Sequence, residues 1–173
     1  MNNKLLEQIR QLYLFLRSEK KEKYHRHLSF GDLFTDRWET AQHFGFGDGT
    51  SCYDNVLILG DVSVGNHTWI GPNVILDGSG GLVIGDYCTI CAGVQIYTHN
   101  SIENGFSEGK IPIEKRPVSI GSKVYIGPQS VVEMGVTIGN NVVIGAFSFV
   151  NSNIPSNSRV WGIPARTQIN HNK

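Results

Sequence analysis

The chain has 173 residues, enough for one domain to bury a core without disulfide or metal staples. Fifteen Lys and Arg balance fifteen Asp and Glu, which argues against a nucleic-acid-binding protein but leaves room for a local anion site. Three cysteines give no disulfide framework, and there is no apolar run of membrane-spanning length and no secretory h-region. A soluble, cytoplasmic protein without stable membrane insertion is expected.

Residues 1–45 read as an N-terminal helix and linker. From Asn3 to Lys20, the residues Leu5, Leu6, Ile9, Leu12, Tyr13 and Leu16 recur at helical spacing on one face. The favoured reading packs this helix on the base of the following domain, where it hides unpaired strand edges. The basic stretch "SEKKEKYHRH" keeps a membrane-surface helix open as the second reading. The segment "DLFTDRWET" reads as linker or a further short helix.

From residue 46 the chain keeps a six-residue rhythm. Phe46, Cys52, Ile58, Val64, Ile70 and Leu76 are spaced by six. The register slips by two at "SGGL" and continues through Ile84, Ile90 and Ile96. It returns with Ile120, Ile126, Val132, Ile138, Ile144 and Val150. Gly follows eight of these fifteen residues, and the fourth residue after each is usually small or β-branched. This matches neither helical periodicity nor strand alternation. It fits a short strand and a turn, repeated, with the apolar residue on an axis and Gly where a side chain would clash or φ is positive. Three hexads close a triangular coil, so fifteen make about five coils, a prism about 24 Å tall. The predicted solenoid covers 46–155, and 156–173 is a C-terminal extension in which "NIPSNSRVWGIPAR" leaves the prism and folds back.

The rhythm breaks once, over an inserted loop at 97–119, immediately beside His99. His25 and His27 lie in a charged segment, His43 in the linker, His67 at an outward position and His171 in the tail. His99 alone stands where the coil opens. Position by itself allows either a surface histidine or a general base, since imidazole is matched to proton transfer near neutral pH. A loop there would wall a groove and exclude water, and N–H groups of the opened coil would be donors for an oxyanion.

With "VSIGSKVYIGPQSVVEMGVTIGNNVVIGAFSFVNSNIPSNSRVWGIPAR" and the "YTHN" before the loop, residues 46–166 resemble the hexapeptide-repeat acyltransferases. The branch most similar acetylates sugars, as maltose, galactoside and surface-polysaccharide acetyltransferases do. The resemblance implies a left-handed parallel β-helix, a homotrimer with sites between subunits, acetyl-CoA as co-substrate and His99 as catalytic base. It places Gly127, Ala146 and Asn151 along the pantetheine arm and Arg166 at the coenzyme's phosphates; without the motif Arg166 is equally a solvated surface residue. Asn100 of "YTHN" and Tyr125 would face the acceptor. Tyr125 stands where the family often has Trp, and "NSN" at 151–153 replaces a frequent "TKD", removing a cationic contact. Asp77, in place of a turn glycine, either binds sugar hydroxyls or bonds its own turn.

The C-x-x-C of Cys88 and Cys91 falls on repeat positions and reads as core and corner filling. No second histidine near His99 supports a zinc site of the carbonic anhydrase type, so no metal is expected. The leading function is acetyl-CoA-dependent transfer to a sugar hydroxyl of a surface polysaccharide. The alternatives are N-acetylation of a nucleotide-linked amino sugar, antibiotic acetylation, and a non-catalytic structural or binding solenoid, which would leave the loop without a purpose.

Overall fold

The computed structural model describes residues 3–167; His171 lies outside them. Among the described residues there are four helices: α1 (Asn3–Tyr24), α2 (Gly31–Phe34), α3 (Arg37–His43) and α4 (Ile102–Phe106). The remainder is a parallel β-solenoid with three faces.

The first face stacks Ser51–Cys52, Trp69–Ile70, Thr89–Ile90, Tyr125–Ile126, Val143–Ile144 and Arg159–Trp161 in parallel. The second and third faces share two long strands, Leu57–Val64 and Ile75–Ile84, which bend around a corner. The second continues with Gln95–Ile96, Val131–Val132 and Phe149–Val150. The third continues with Val118–Ile120, Thr137–Ile138 and a bridge at Ile154. The axis is the set of hexad residues: Ile70, Leu76, Ile90, Ile96, Ile126, Val132 and Ile144 are wholly buried. Each side chain so buried stabilises the fold by about 1.5–3 kcal/mol relative to exposure. Ile58, in the first strand of the second face, is only half-buried.

The glycines that follow axis residues are required by close approach. A Cβ on Gly127 would lie 2.5 Å from the Ala146 nitrogen in the next coil. The left-handed conformation sits two residues further on and is held by non-glycine residues: His67, Asn73, Tyr87, Lys123, Gln129, Asn141 and Phe147 have φ between 53° and 60°. Their N–H groups donate to the coil below, as Tyr87 does to Asn66 O and Lys123 to Asp86 O, both at 2.8 Å. That bonding offsets a conformation otherwise costly for a residue with a Cβ.

Both ends differ from expectation. No residue of α1 is buried. The base is closed instead by α3, whose Ala41 is buried beside Phe46 and whose start carries a full Asp36–Glu39 capping box. The segment "DLFTDRWET" thus forms α2 and α3. At the other end, Arg159–Trp161 adds a sixth rung before Arg166–Thr167 folds back antiparallel along it. Val160 supplies the axis residue there and is fully buried, which pays for continuing the coil beyond residue 155.

The register explains where the site forms. Neighbouring coils are 18 residues apart over most of the prism, 20 across Ser79–Gly81 and 36 across the inserted loop. The small insertion and the large one touch. A Cβ on Gly80 would lie 2.5 Å from the Thr98 carbonyl oxygen, and the Gly80 N–H donates to Thr98 Oγ1 at 2.8 Å. The slip at "SGGL" is the seat of the loop's stem.

Candidate active site

His99 and Asn100 form a two-residue ribbon with Glu114–Lys115, so the loop leaves and re-enters the prism as a hairpin. The loop has its own order: Asn100 Oδ1 accepts the Ile102 N–H at 2.9 Å at the start of α4. The ribbon holds His99 at the rim, with a third of its side chain exposed.

Behind it lies Asp77, completely buried. Its Oδ2 accepts the Thr98 N–H at 2.8 Å and meets His99 Nδ1 at 2.6 Å; its Oδ1 accepts the Ser79 N–H at 3.0 Å. Thr98 Oγ1 donates to the Asp77 carbonyl oxygen at 2.7 Å. Burial pushes the carboxyl pKa up, but hydrogen bonds from the Ser79 side chain, the Thr98 and Ser79 N–H groups and His99 outweigh it and hold it well below the ordinary range. An ionised carboxylate can only accept, so His99 Nδ1 carries the proton and neutral His99 keeps its lone pair on Nε2. Among the described histidines His99 alone pairs with a carboxylate.

The sequence leaves Asp77 as either a sugar ligand or a turn aspartate. Its carboxylate has no open face for a sugar hydroxyl, because both oxygens are engaged and none of the residue is exposed. It bonds its own turn through Ser79 and it also orients His99. The sequence reading missed that pairing, and it missed buried Thr98.

His99 opens on a cleft of about 360 Å³, lined also by Tyr97, Asn100, Val131, Glu133, Met134 and Phe149. Tyr97 is steadied by its hydroxyl bond to Gln95 Oε1 at 2.8 Å. Asn151 follows Tyr97 and Glu133 up the same corner, since Tyr97 N–H bonds Val132 O and Glu133 N–H bonds Val150 O. This corner had a sequence signature. The eight glycines that follow axis residues all end the first or third face, whereas the second face is followed by Leu59, Asp77, Tyr97, Glu133 and Asn151. The corner without glycine is the one that borders the His99 cleft, through Tyr97 and Glu133.

The other singled-out residues are spread out. Gly127 and Ala146 abut in adjacent coils at the corner after the first face. Tyr125 is exposed on the first face, away from the His99 cleft of its own chain. Arg166 is exposed in the C-terminal hairpin and its Nη1 donates to Ala165 O. Cys52, Cys88 and Cys91 are buried thiols; burial pushes Cys52 up to about 12, which makes it inert.

Residues 61–98 match the family described as hexapeptide repeat of succinyl-transferase, and residues 117–152 match bacterial transferase hexapeptide (six repeats). Over 157 residues the chain is 32% identical to galactoside O-acetyltransferase of Escherichia coli (strain K12), covering 86% of this chain and 67% of that protein. The chain belongs to the hexapeptide-repeat acyltransferases. It is an acyltransferase by that membership. A putative colanic acid biosynthesis acetyltransferase, WcaF of the same strain, is 31% identical over 106 residues, 60% of this chain and 56% of WcaF. Among solved structures, the hexapeptide-repeat-containing acetyltransferase VCA0836 from Vibrio cholerae superposes with a TM-score of 0.65 at 26% identity, covering 94% of this chain and 92% of that one.

Proposed function

We propose that this acyltransferase moves acetyl from acetyl-CoA to a sugar hydroxyl, in the cytoplasm, during synthesis of a surface polysaccharide. The observation that carries the reading is the Asp77–His99 pair at 2.6 Å, with His99 lining the cleft and its Nε2 left free of Asp77. His99 Nε2 takes the hydroxyl proton as the oxygen attacks the thioester carbonyl. The tetrahedral intermediate collapses, the carbon–sulfur bond breaks, and the imidazolium returns the proton to the departing thiolate. Asp77 fixes the tautomer and stabilises the imidazolium, as the buried carboxylate of a catalytic triad does. Asn100 and Glu133 stand beside His99 where an acceptor would lie.

The coenzyme would run past Gly127, Ala146 and Asn151 with its phosphates at Arg166. These residues spread over two corners and a hairpin, and Tyr125 faces away from its own cleft. Both facts favour a groove completed by a neighbouring copy in a homotrimer. The names of the relatives support sugar O-acetylation; N-acetylation of a nucleotide-linked amino sugar uses the same base and is the second reading.

The test is thiol release from acetyl-CoA with free sugars, nucleotide-linked amino sugars and chloramphenicol as acceptors, followed by identification of the acetylated atom. Turnover with hydroxyl acceptors, lost by roughly 10²–10⁴-fold in His99→Ala, is expected. Turnover confined to amino acceptors overturns O-acetylation, and a fully active His99→Ala overturns the base.

A further inference from the structure

A continuous run of exposed apolar residues lies on α1, outside the lining of the His99 cleft. Leu5, Leu6, Ile9, Leu12, Leu14 and Phe15 are each 43–65% exposed, and this 22-residue helix buries nothing. Its apolar stripe meets α2 where the Tyr13 ring lies tilted against Phe30, with ring centroids 5.6 Å apart.

The charges of α1 are sorted. At about 100° per residue, Leu5, Leu6, Ile9, Leu12, Tyr13 and Leu16 fall within an arc of about 120°. Lys20 and Lys23 fall inside that arc, and Arg10, Arg17 and Lys21 fall along one border. Glu19 borders the other edge of the arc, and Glu7 and Glu22 share the remaining side with Lys4, Leu14 and Phe15. Residues 3–27 hold seven Lys and Arg against three Glu, in a chain that is neutral as a whole.

A second observation lies at the end of the helix. His25 takes a left-handed conformation (φ 53°), and the His25 and Arg26 N–H groups bond back to Lys21 O and Lys20 O. This cap reverses the chain and gathers Arg17, Lys21, His25, Arg26 and His27 with Leu14 around a groove of about 630 Å³ whose lining holds no carboxylate.

We propose that α1 and this groove form a peripheral docking site for an anionic lipid surface. The apolar arc lies at the headgroup boundary, the flanking Lys and Arg stems reach along it to the phosphates, and the groove receives a headgroup. The sorting of charge selects this occupant. A neutral protein face would have to desolvate the flanking cations, whereas an anionic headgroup layer pairs with them. No helix among the described residues is long and apolar enough to cross a membrane, and α1 carries charge along its whole length, so the contact is parallel to the surface.

Flotation of the full chain with vesicles tests this. Co-flotation is expected with phosphatidylglycerol–phosphatidylcholine vesicles and not with phosphatidylcholine alone, and it is expected to weaken with salt. Each near-surface cation is worth roughly fivefold in partitioning, so Arg17→Gln with Lys21→Gln weakens it roughly 25-fold. Ile9→Ser with Leu12→Ser abolishes it while sedimentation and turnover on a water-soluble acceptor stay unchanged. Absence of flotation, equal flotation on neutral vesicles, or dissociation of an oligomer by the Ile9/Leu12 change overturns the proposal; the last would assign α1 to a second copy. Free glycerol phosphate at the same phosphate concentration should not compete; effective competition would reassign the groove to a soluble anion and also overturn the lipid surface.

Discussion

Asp77 shows how one buried group can set the chemistry of an exposed one. Asn at this position keeps the size but offers an N–H to His99 Nδ1, so the imidazole must turn its N–H toward the cleft. Turnover of Asp77→Asn should fall by roughly 10²–10⁴-fold with little change in the acceptor KM, and steady-state kinetics would show it. The same group links stability to acid. Its folded pKa is depressed, so its contribution is fully present above the unfolded value near 4 and is lost as pH falls through the folded value. Urea midpoints at pH 5 and pH 3 should therefore drop more for the natural chain than for Asp77→Asn. Gly127 is a purely steric case. Its Cβ would press on the backbone of Ala146, which cannot move without moving a coil, so Gly127→Ala should cost about 1–3 kcal/mol in chemical denaturation.

At the scale of elements, the C-terminal hairpin and the inserted loop can be tested separately. Arg166 pairs across the hairpin with Trp161 through the backbone only, so its guanidinium can be removed without breaking the ladder. If it meets the coenzyme's phosphates, Arg166→Ala should raise the KM for acetyl-CoA by roughly ten- to a hundredfold and leave turnover at saturation unchanged. With acetyl-pantetheine, which lacks the adenosine phosphates, the change should vanish. Equal losses with both donors would place Arg166 in folding or acceptor binding. The loop also exposes Ile102, Phe106, Ile111 and Ile113, with Phe106 81% bare. An apolar cluster of this kind on a rim is expected to be covered.

For the whole molecule the expected cover is another copy. A trimer would bring the first face of one prism, with Tyr125, toward the cleft of the next and would cover the loop's apolar residues. Sedimentation equilibrium should give three times the chain mass, and Phe106→Ser should weaken assembly and activity together. A fully active monomer would show that one prism holds the complete site.

The solenoid was legible in the sequence because a coil repeats one steric problem. An axis residue must be apolar and the residue after it must let the next backbone approach, so Ile–Gly pairs recur in phase and even the two insertions show as slips. The place of His99 at the loop's stem was legible for the same reason, as the point where the pattern stops. The pairing of Asp77 with His99 was not, because the two are 22 residues apart and meet only when stacking brings Leu76 beside Ile96. Sequence also could not decide what covers the base. The apolar stripe on α1 made it the candidate, whereas α3 is short and mostly polar, and only the tertiary structure shows α3 closing the first coil through Ala41. Periodicity is a local property, repeated until it can be read; a site depends on which coils lie side by side, and that is set by the packing of the whole prism.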